Sequence, residues 1–207
     1  MTAQPEEVLR CLFQTVGALV DTASLHDPYA PGHRLRTSQV ARVLAQLLSF
    51  DEDIINGIRL AATLHDIGIL LIPKEILQKP GPLTDAEYAI VKQHTAYSAQ
   101  LFKEVEFPWP VIEMIEQHHE RLDGSGYPKG LKKDQIMLES QVIAVADVMD
   151  ALTTDRPWRK ALTTEEALET LKKDSGIKFD PYVVDACIEL YTKQKYRLDP
   201  EYYGRDE

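Results

Sequence analysis

Apolar residues recur at three- and four-residue spacing along almost the whole chain. This is the period of amphipathic helices, whereas runs of strict alternation, which predict strands, are hard to find. From about His33 to Ser49, for example, one helix face carries Val40, Val43, Leu44 and Leu47. The pattern therefore predicts an all-α fold.

Proline, glycine and capping residues mark the ends of the predicted helices. A first helix is expected from Pro5 to about Leu25, and a third from Asp51 to near Gly68, with His65-Asp66 in its last turn. A capping-box spacing predicts one long helix from Thr84 through Val105, with His94 in its middle. Further helices are expected to begin at Pro110, Met137, Thr163 and Pro181.

The composition predicts one folded domain. With 207 residues, 44% hydrophobic and 27% charged, the chain can bury a core of its own. No window approaches roughly 18 consecutive apolar residues, and the N-terminus lacks the order of a signal peptide, so we expect a cytoplasmic protein that does not enter a membrane. Cys11 and Cys187 lie far apart in helical patterns and are expected to be buried thiols.

The formal net charge of −10 argues against a DNA or RNA polymer as partner. Such a surface needs clustered Lys and Arg to displace the counterions of the nucleic acid. An anionic small substrate stays compatible if cations bound inside the site reverse the local field.

Five of the six histidines lie in or at the ends of helices apolar enough to face a core. One such histidine is more often a hydrogen-bonded core residue than a ligand, but five need another explanation. Asp147 lies in an apolar run, where an unpaired carboxylate is costly, so it needs a metal or, as the alternative, a buried Arg. The five histidines are His33, His65, His94, His118 and His119.

These side chains can form two metal-ligand sets that share Asp66. Two cations a few ångström apart can activate a water and stabilise the leaving oxygen of a phosphoryl displacement. The mixed nitrogen and oxygen set is His33, His65, Asp66 and Asp147, and the nitrogen-rich set is His94, His118 and His119, with Asp66 bridging.

The order His33, His65-Asp66, Asp147 resembles the HD superfamily of metal-dependent phosphohydrolases. Residues 118–128, HHERLDGSGYP, match the HHExxDGxGYP signature of its HD-GYP branch. Residues 79–84, 146–152 and 155–159 also resemble family blocks, so the resemblance covers about residues 27–190.

The resemblance implies a single-domain helical bundle that hydrolyses cyclic di-GMP to linear pGpG or to GMP at a two- or three-iron centre. A hydroxide bridging two metals would attack phosphorus in line with the departing ribose oxygen. We expect an N-terminal helix packing on the core at 1–26, the HD-GYP domain at 27–195 and a polar tail at 196–207. Carried over by position, the metal ligands are His33, His65, Asp66, His94, His118, His119 and Asp147.

The resemblance also implies substrate contacts from Tyr127, Arg156 and Arg159, through stacking or phosphate binding. The alternatives are a loop-anchoring tyrosine and surface ion pairs. Asp66 and Asp150 are the predicted catalytic carboxylates. Asp150 follows Asp147 by three residues and is expected either to relay a proton or to support a metal-bound histidine.

Two positions depart from the family pattern. Tyr29 stands where some members have a Glu that helps hold a third metal, so two divalent ions are expected, iron by resemblance, with manganese or another transition metal compatible. Ile69 stands where a Lys is usual, and it can neither neutralise phosphate nor help the leaving group. Weak activity is therefore expected.

Two alternatives to cyclic di-GMP hydrolysis stay open. One is a catalytically weakened cyclic di-GMP sensor, which Ile69 supports, and the other is a phosphodiesterase for another cyclic dinucleotide such as cyclic GMP-AMP. Because only some 25 residues precede the motif region, we expect an excised domain or regulation by a partner protein. A diguanylate cyclase or regulatory domain that contacts the GYP loop is the expected kind of partner.

Overall fold

The computed structural model describes residues 4–24, 32–155 and 159–198. Within these ranges the chain is helical, with no strand and only isolated bridges such as Asp123 with Lys132. The predicted all-α, single-domain fold is therefore confirmed. Tyr29, Arg156 and residues 199–207 of the predicted tail lie outside the described ranges.

Ten α-helices and two short 3₁₀ helices make up the described bundle. The 3₁₀ helices are Ile67–Leu71 and Lys133–Gln135. The α-helices are α1 Pro5–Ser24, α2 His33–Leu47, α3 Glu52–Leu64, α4 Lys74–Leu77, α5 Asp85–Val91, α6 His94–Leu101, α7 Val111–Gln117, α8 Leu138–Thr153, α9 Thr164–Asp174 and α10 Pro181–Thr192.

Helix α8 lies at the centre of the bundle, in contact with α2, α3, α7, α9 and α10. Every residue from Ser140 to Asp147 is buried, as expected for a helix that is apolar on all sides. The two carboxylates of this helix, Asp147 and Asp150, are buried as well. A buried carboxylate needs partners, and the partners of these two define the candidate site.

Three of the predicted helix starts are confirmed, and each has a side-chain N-cap. Thr84 with Glu87 and Thr163 with Glu166 each form a complete capping box. Asp180 accepts hydrogen bonds from the backbone N–H groups of the first turn of α10. These side chains satisfy amides that a helix start leaves without intrahelical partners.

The prediction of one long helix from Thr84 through Val105 was wrong. Helix α5 ends at Val91 and α6 begins at His94, so His94 is a helix start and not a mid-helix residue. The ring Nδ1 of His94 lies 2.7 Å from the carbonyl oxygen of Val91. This side-chain bond takes a carbonyl that an unbroken helix gives to a backbone amide.

The third helix also ends earlier than predicted, at Leu64, and a 3₁₀ helix follows. Together they form the segment Glu52–Leu71, which is long and apolar enough to cross a membrane, but 67% of its most apolar window is buried in the bundle. A mostly buried helix of a folded core passes the same test, so this segment is weak evidence for a span.

Both cysteines are free, as predicted, but the prediction that both are buried was wrong for Cys11. Helix α1 turns Phe13 and Val20 into the core and leaves Cys11 exposed. Burial raises the pKa of the Cys187 thiol to about 12, so that thiol is inert at neutral pH.

Candidate metal centre

The structure brings together all seven side chains that the sequence predicted as metal ligands. They come from the ends of four helices and from the middle of α8, so helices distant in sequence meet at one point. The seven are His33 at the start of α2, His65 and Asp66 after α3, His94 at the start of α6, His118 and His119 after α7, and Asp147 in α8.

The carboxylate of Asp66 lies between two groups of imidazoles. Its Oδ2 is 3.6 Å from Nε2 of His33 and 3.3 Å from Nε2 of His65. Its Oδ1 is 3.2 Å from Nε2 of His94 and 3.8 Å from Nε2 of His118. One carboxylate thus presents a different oxygen to each group, which is the geometry expected of a ligand that bridges two cations.

Asp147 joins the first of these groups. Its Oδ1 lies 3.1 Å from Nε2 of His33 and 3.9 Å from Nε2 of His65. Within the described residues its ion-pair partners are therefore imidazoles and not the buried arginine considered as an alternative. The potential ligand atoms form two sets, and within each set all atoms lie within 4.8 Å of one another. The sets are His33, His65 and Asp66, and Asp66, His94, His118 and His119.

Three histidines share a contact that orients the ring. The Nδ1 atoms of His65, His94 and His118 each lie 2.6–2.7 Å from the carbonyl oxygen three residues earlier. A carbonyl only accepts, so Nδ1 donates, and in the neutral ring Nε2 then carries the lone pair. The acceptors are the carbonyls of Ala62, Val91 and Ile115.

The fit to a metal rests on these Nε2 atoms. All three are buried and make no hydrogen bond with the described residues. In the neutral rings the Nε2 lone pairs face the oxygens of Asp66, so two hydrogen-bond acceptors lie opposite each other without a proton between them. A cation bound between them removes this repulsion. Burial, with the neighbouring His65, lowers the pKa of His118 to about 3, which keeps that ring neutral and able to bind metal.

His33 is held differently from the other three. Its Nδ1 lies 2.6 Å from Oδ2 of Asp150, and Arg36 donates to both oxygens of Asp150 at 2.6 and 3.0 Å. Burial alone lowers the pKa of His33, but the hydrogen bonds to Asp147 and Asp150 outweigh it and raise that pKa to about 9. Asp150 therefore supports His33, and both of its oxygens are occupied.

A close approach of two helices brings His94 up to His65. The amide of Gly68 donates to Oγ of Ser98 at 2.8 Å, and that hydroxyl donates to the carbonyl of His65, also at 2.8 Å. A Cβ at Gly68 would lie 2.2 Å from the carbonyl oxygen of His94, so only glycine fits. Ser98 was not predicted as a site residue, and no spacing signal marked it.

The loop after His119 folds back over the site. Glu120 is buried, and its two carboxylate oxygens accept hydrogen bonds from the amides of Lys129 and Leu131 at 2.7 and 2.9 Å. This loop places the Tyr127 ring centroid 4.7 Å from that of His119. Glu120 belongs to the matched signature, yet no function was predicted for it.

The guanidinium of Arg159 is bound to the backbone. Its guanidinium donates to the carbonyls of Ala151 and Leu152 in the last turn of α8 and to that of Lys160, at 2.5–3.0 Å. This is a helix C-terminal cap, which needs no substrate.

Ile69 is 8% exposed on the 3₁₀ helix that follows Asp66.

A helical bundle whose histidines and aspartates meet around a shared carboxylate defines a domain of the HD type. Residues 17–183 match the family model described as HD domain. The chain belongs to this family and, by its signature and its relatives, to the HD-GYP branch.

Two curated relatives illustrate the similarity. The chain is 35% identical over 194 residues to 3'3'-cGAMP-specific phosphodiesterase 3 of Vibrio cholerae, covering 94% of this chain and 41% of the relative. It is 37% identical over 177 residues to the cyclic di-GMP phosphodiesterase response regulator RpfG of Xanthomonas campestris, covering 84% and 47%. The chain thus spans less than half the length of either relative.

A solved structure agrees with the fold. The protein Bd1817 of Bdellovibrio bacteriovorus, described as an HDG"Y"P protein, superposes with a TM-score of 0.64 at 27% identity. The match covers 76% of this chain and 51% of that one.

Proposed function

We propose that this chain is a metal-dependent phosphodiesterase domain that hydrolyses cyclic di-GMP, with 3'3'-cyclic GMP-AMP as the alternative substrate. The observation that carries the proposal is Asp66, which presents one oxygen to each of two groups of imidazoles. The names of the relatives supply both candidate substrates.

We propose two divalent ions, one on each set of ligands, with iron favoured and manganese compatible. When bound, they supply Lewis-acid stabilisation of the scissile phosphate and an activated water. The two carboxylates contribute two negative charges and the ions would contribute four positive ones. The site would then attract an anionic phosphodiester despite the acidic chain.

The chain's own residues position the site. The three carbonyl contacts hold the Nε2 atoms of His65, His94 and His118 towards Asp66. Arg36 and Asp150 hold His33, so we favour a positioning role for Asp150 over a proton relay. Tyr127 covers the His119 side, where it can contact substrate. Substrate binding by Arg156 and a protein partner on the GYP loop stay predictions.

Anaerobic purification with metal analysis tests this proposal. We expect about two metal ions per chain and conversion of cyclic di-GMP to pGpG or GMP, because the candidate ligands of both sets lie close together in the fold. Product analysis with cyclic di-GMP and cyclic GMP-AMP then ranks the substrates. A metal content near zero in metal-replete, reducing buffer contradicts the proposal, and tight binding without hydrolysis favours a sensor.

The sensor is the second candidate because Ile69 removes the usual cation, and Ile69→Lys tests it. An ammonium near the scissile phosphate is worth more in the transition state than in the ground state, so single-turnover hydrolysis should rise about tenfold. Leu71→Lys is the matched control, because Leu71 is 53% exposed on the same 3₁₀ helix. An unchanged rate in a folded, metal-loaded Ile69→Lys protein would show that another group has replaced the lysine.

A further inference from the structure

A lysine side chain lies between two tyrosine rings beside the candidate metal centre. The ammonium of Lys92, the residue after the end of α5, is 5.1 Å from the ring centroid of Tyr88 and 5.8 Å from that of Tyr127. The two rings are 6.5 Å apart and nearly perpendicular. Among the described residues this ammonium has no carboxylate partner, and the two rings hold it by cation–π contacts.

This arrangement borders the candidate site through one ring. The Tyr127 centroid is 4.7 Å from that of His119 and 6.2 Å from that of His94. Lys92 is also two residues before His94 in the chain. A ligand longer than one phosphate that occupies the metal centre can therefore extend past Tyr127 to Lys92.

The other described cations around the centre already have partners. Arg36 is paired with Asp150, and Lys129 is paired with Glu116. Arg121 donates to the carbonyls of His118 and Glu120. Arg34 is buried and donates to the carbonyl of Asp66. Within the described chain, Lys92 is thus the cation best placed to meet an anionic group that reaches past Tyr127.

We propose that Lys92 and Tyr88 form a substrate-binding edge, at which the ammonium binds the phosphodiester that is not being cleaved. A cyclic dinucleotide has two phosphodiesters, and the metal centre acts on one of them at a time. Tyr88, 48% exposed, keeps the ammonium on the Tyr127 side. This inference rests on the proposed function and adds a specificity-determining contact to it.

The test compares a substrate that has two phosphodiesters with one that has a single phosphodiester. Lys92→Met should raise KM for cyclic di-GMP about tenfold with little change in kcat, since a charge-assisted contact remote from the reacting atoms is lost. Lys92→Arg should restore most of the affinity. Hydrolysis of bis(p-nitrophenyl) phosphate, which has one phosphodiester, should not change. Lys173 is an exposed lysine on α9, so Lys173→Met controls for the change in net charge.

Several outcomes overturn the inference. An unchanged KM for cyclic di-GMP shows that Lys92 does not touch it, and equal losses on both substrates show that Lys92 acts at the cleaved phosphate or on the fold. If the wild type binds without turnover, the same comparison is made on Kd by calorimetry, with the same tenfold expectation. If the wild type neither binds nor hydrolyses any cyclic dinucleotide, the proposed function is wrong and the inference falls with it.

Discussion

Asp66→Asn is expected to lower kcat/KM for cyclic di-GMP by about a thousandfold or more, and to reduce bound metal from about two ions to one or none. Asn has one carbonyl oxygen and one NH₂ group, and the NH₂ group has no lone pair for a metal. Since each oxygen of Asp66 faces a different group of imidazoles, one of the two groups loses its oxygen from residue 66 in either orientation of the amide.

The charge of Asp66 also matters before any metal binds. Burial raises the pKa of this carboxyl, but the neighbouring imidazoles of His65 and His94 hold it well below the usual range. The group is therefore a carboxylate at neutral pH and available as a ligand. Asn removes this charge without changing the size of the side chain.

Metal analysis and thermal unfolding with and without Mn²⁺ measure the effect. The wild type should gain thermal stability with metal, because a ligand that binds only the folded state stabilises it, and Asp66→Asn should lose most of that gain. Asp185→Asn, the same change at an exposed position of α10, should behave like the wild type. Two tightly bound ions in Asp66→Asn would refute the bridging role.

The meeting of the seven candidate ligands could be predicted from the sequence, because few arrangements make buried polar side chains stable. Histidines at the ends of apolar helices and a carboxylate inside α8 are costly unless they share a cation, and the family resemblance implied the same residues. All seven do meet in the fold. The pairing of each Asp66 oxygen with its own imidazoles depends on how the helices pack, which helical periodicity does not encode.

Two features that were not predicted, the break after α5 and the cap of α8, have a common physical cause. At the break between α5 and α6 the His94 ring bonds to the Val91 carbonyl, and at the end of α8 Arg159 donates to the last carbonyls. Both are side-chain to backbone contacts that compete with helix continuation or with a surface role. Capping boxes were predictable because their partners are three residues apart, whereas Arg159 reaches back seven and eight residues.

Gly68→Ala is expected to have the second large effect, because one methyl group would separate the two halves of the metal centre. An added Cβ would lie 2.2 Å from the carbonyl oxygen of His94 and 2.5 Å from the amide nitrogen of Ser98. Both are backbone atoms, so no rotamer change relieves the contact and the start of α6 must move away. His94 then retreats from Asp66, to which its Nε2 is now 3.2 Å.

We expect Gly68→Ala to lose about 3 kcal/mol of stability by overpacking, and to bind about one metal ion in place of two, with hydrolysis falling in parallel. Gly176→Ala is the control, because it introduces backbone strain without pushing a helix away. Its φ is 73°, but a Cβ there meets nothing within 4 Å, so it should cost about 1 kcal/mol and leave metal content unchanged. If Gly68→Ala kept two ions and wild-type hydrolysis, the contact of the 3₁₀ helix with α6 would not be what sets the position of His94. A loss of stability with both ions retained would mean that α6 moves as a rigid unit together with α7, carrying His94, His118 and His119 with it.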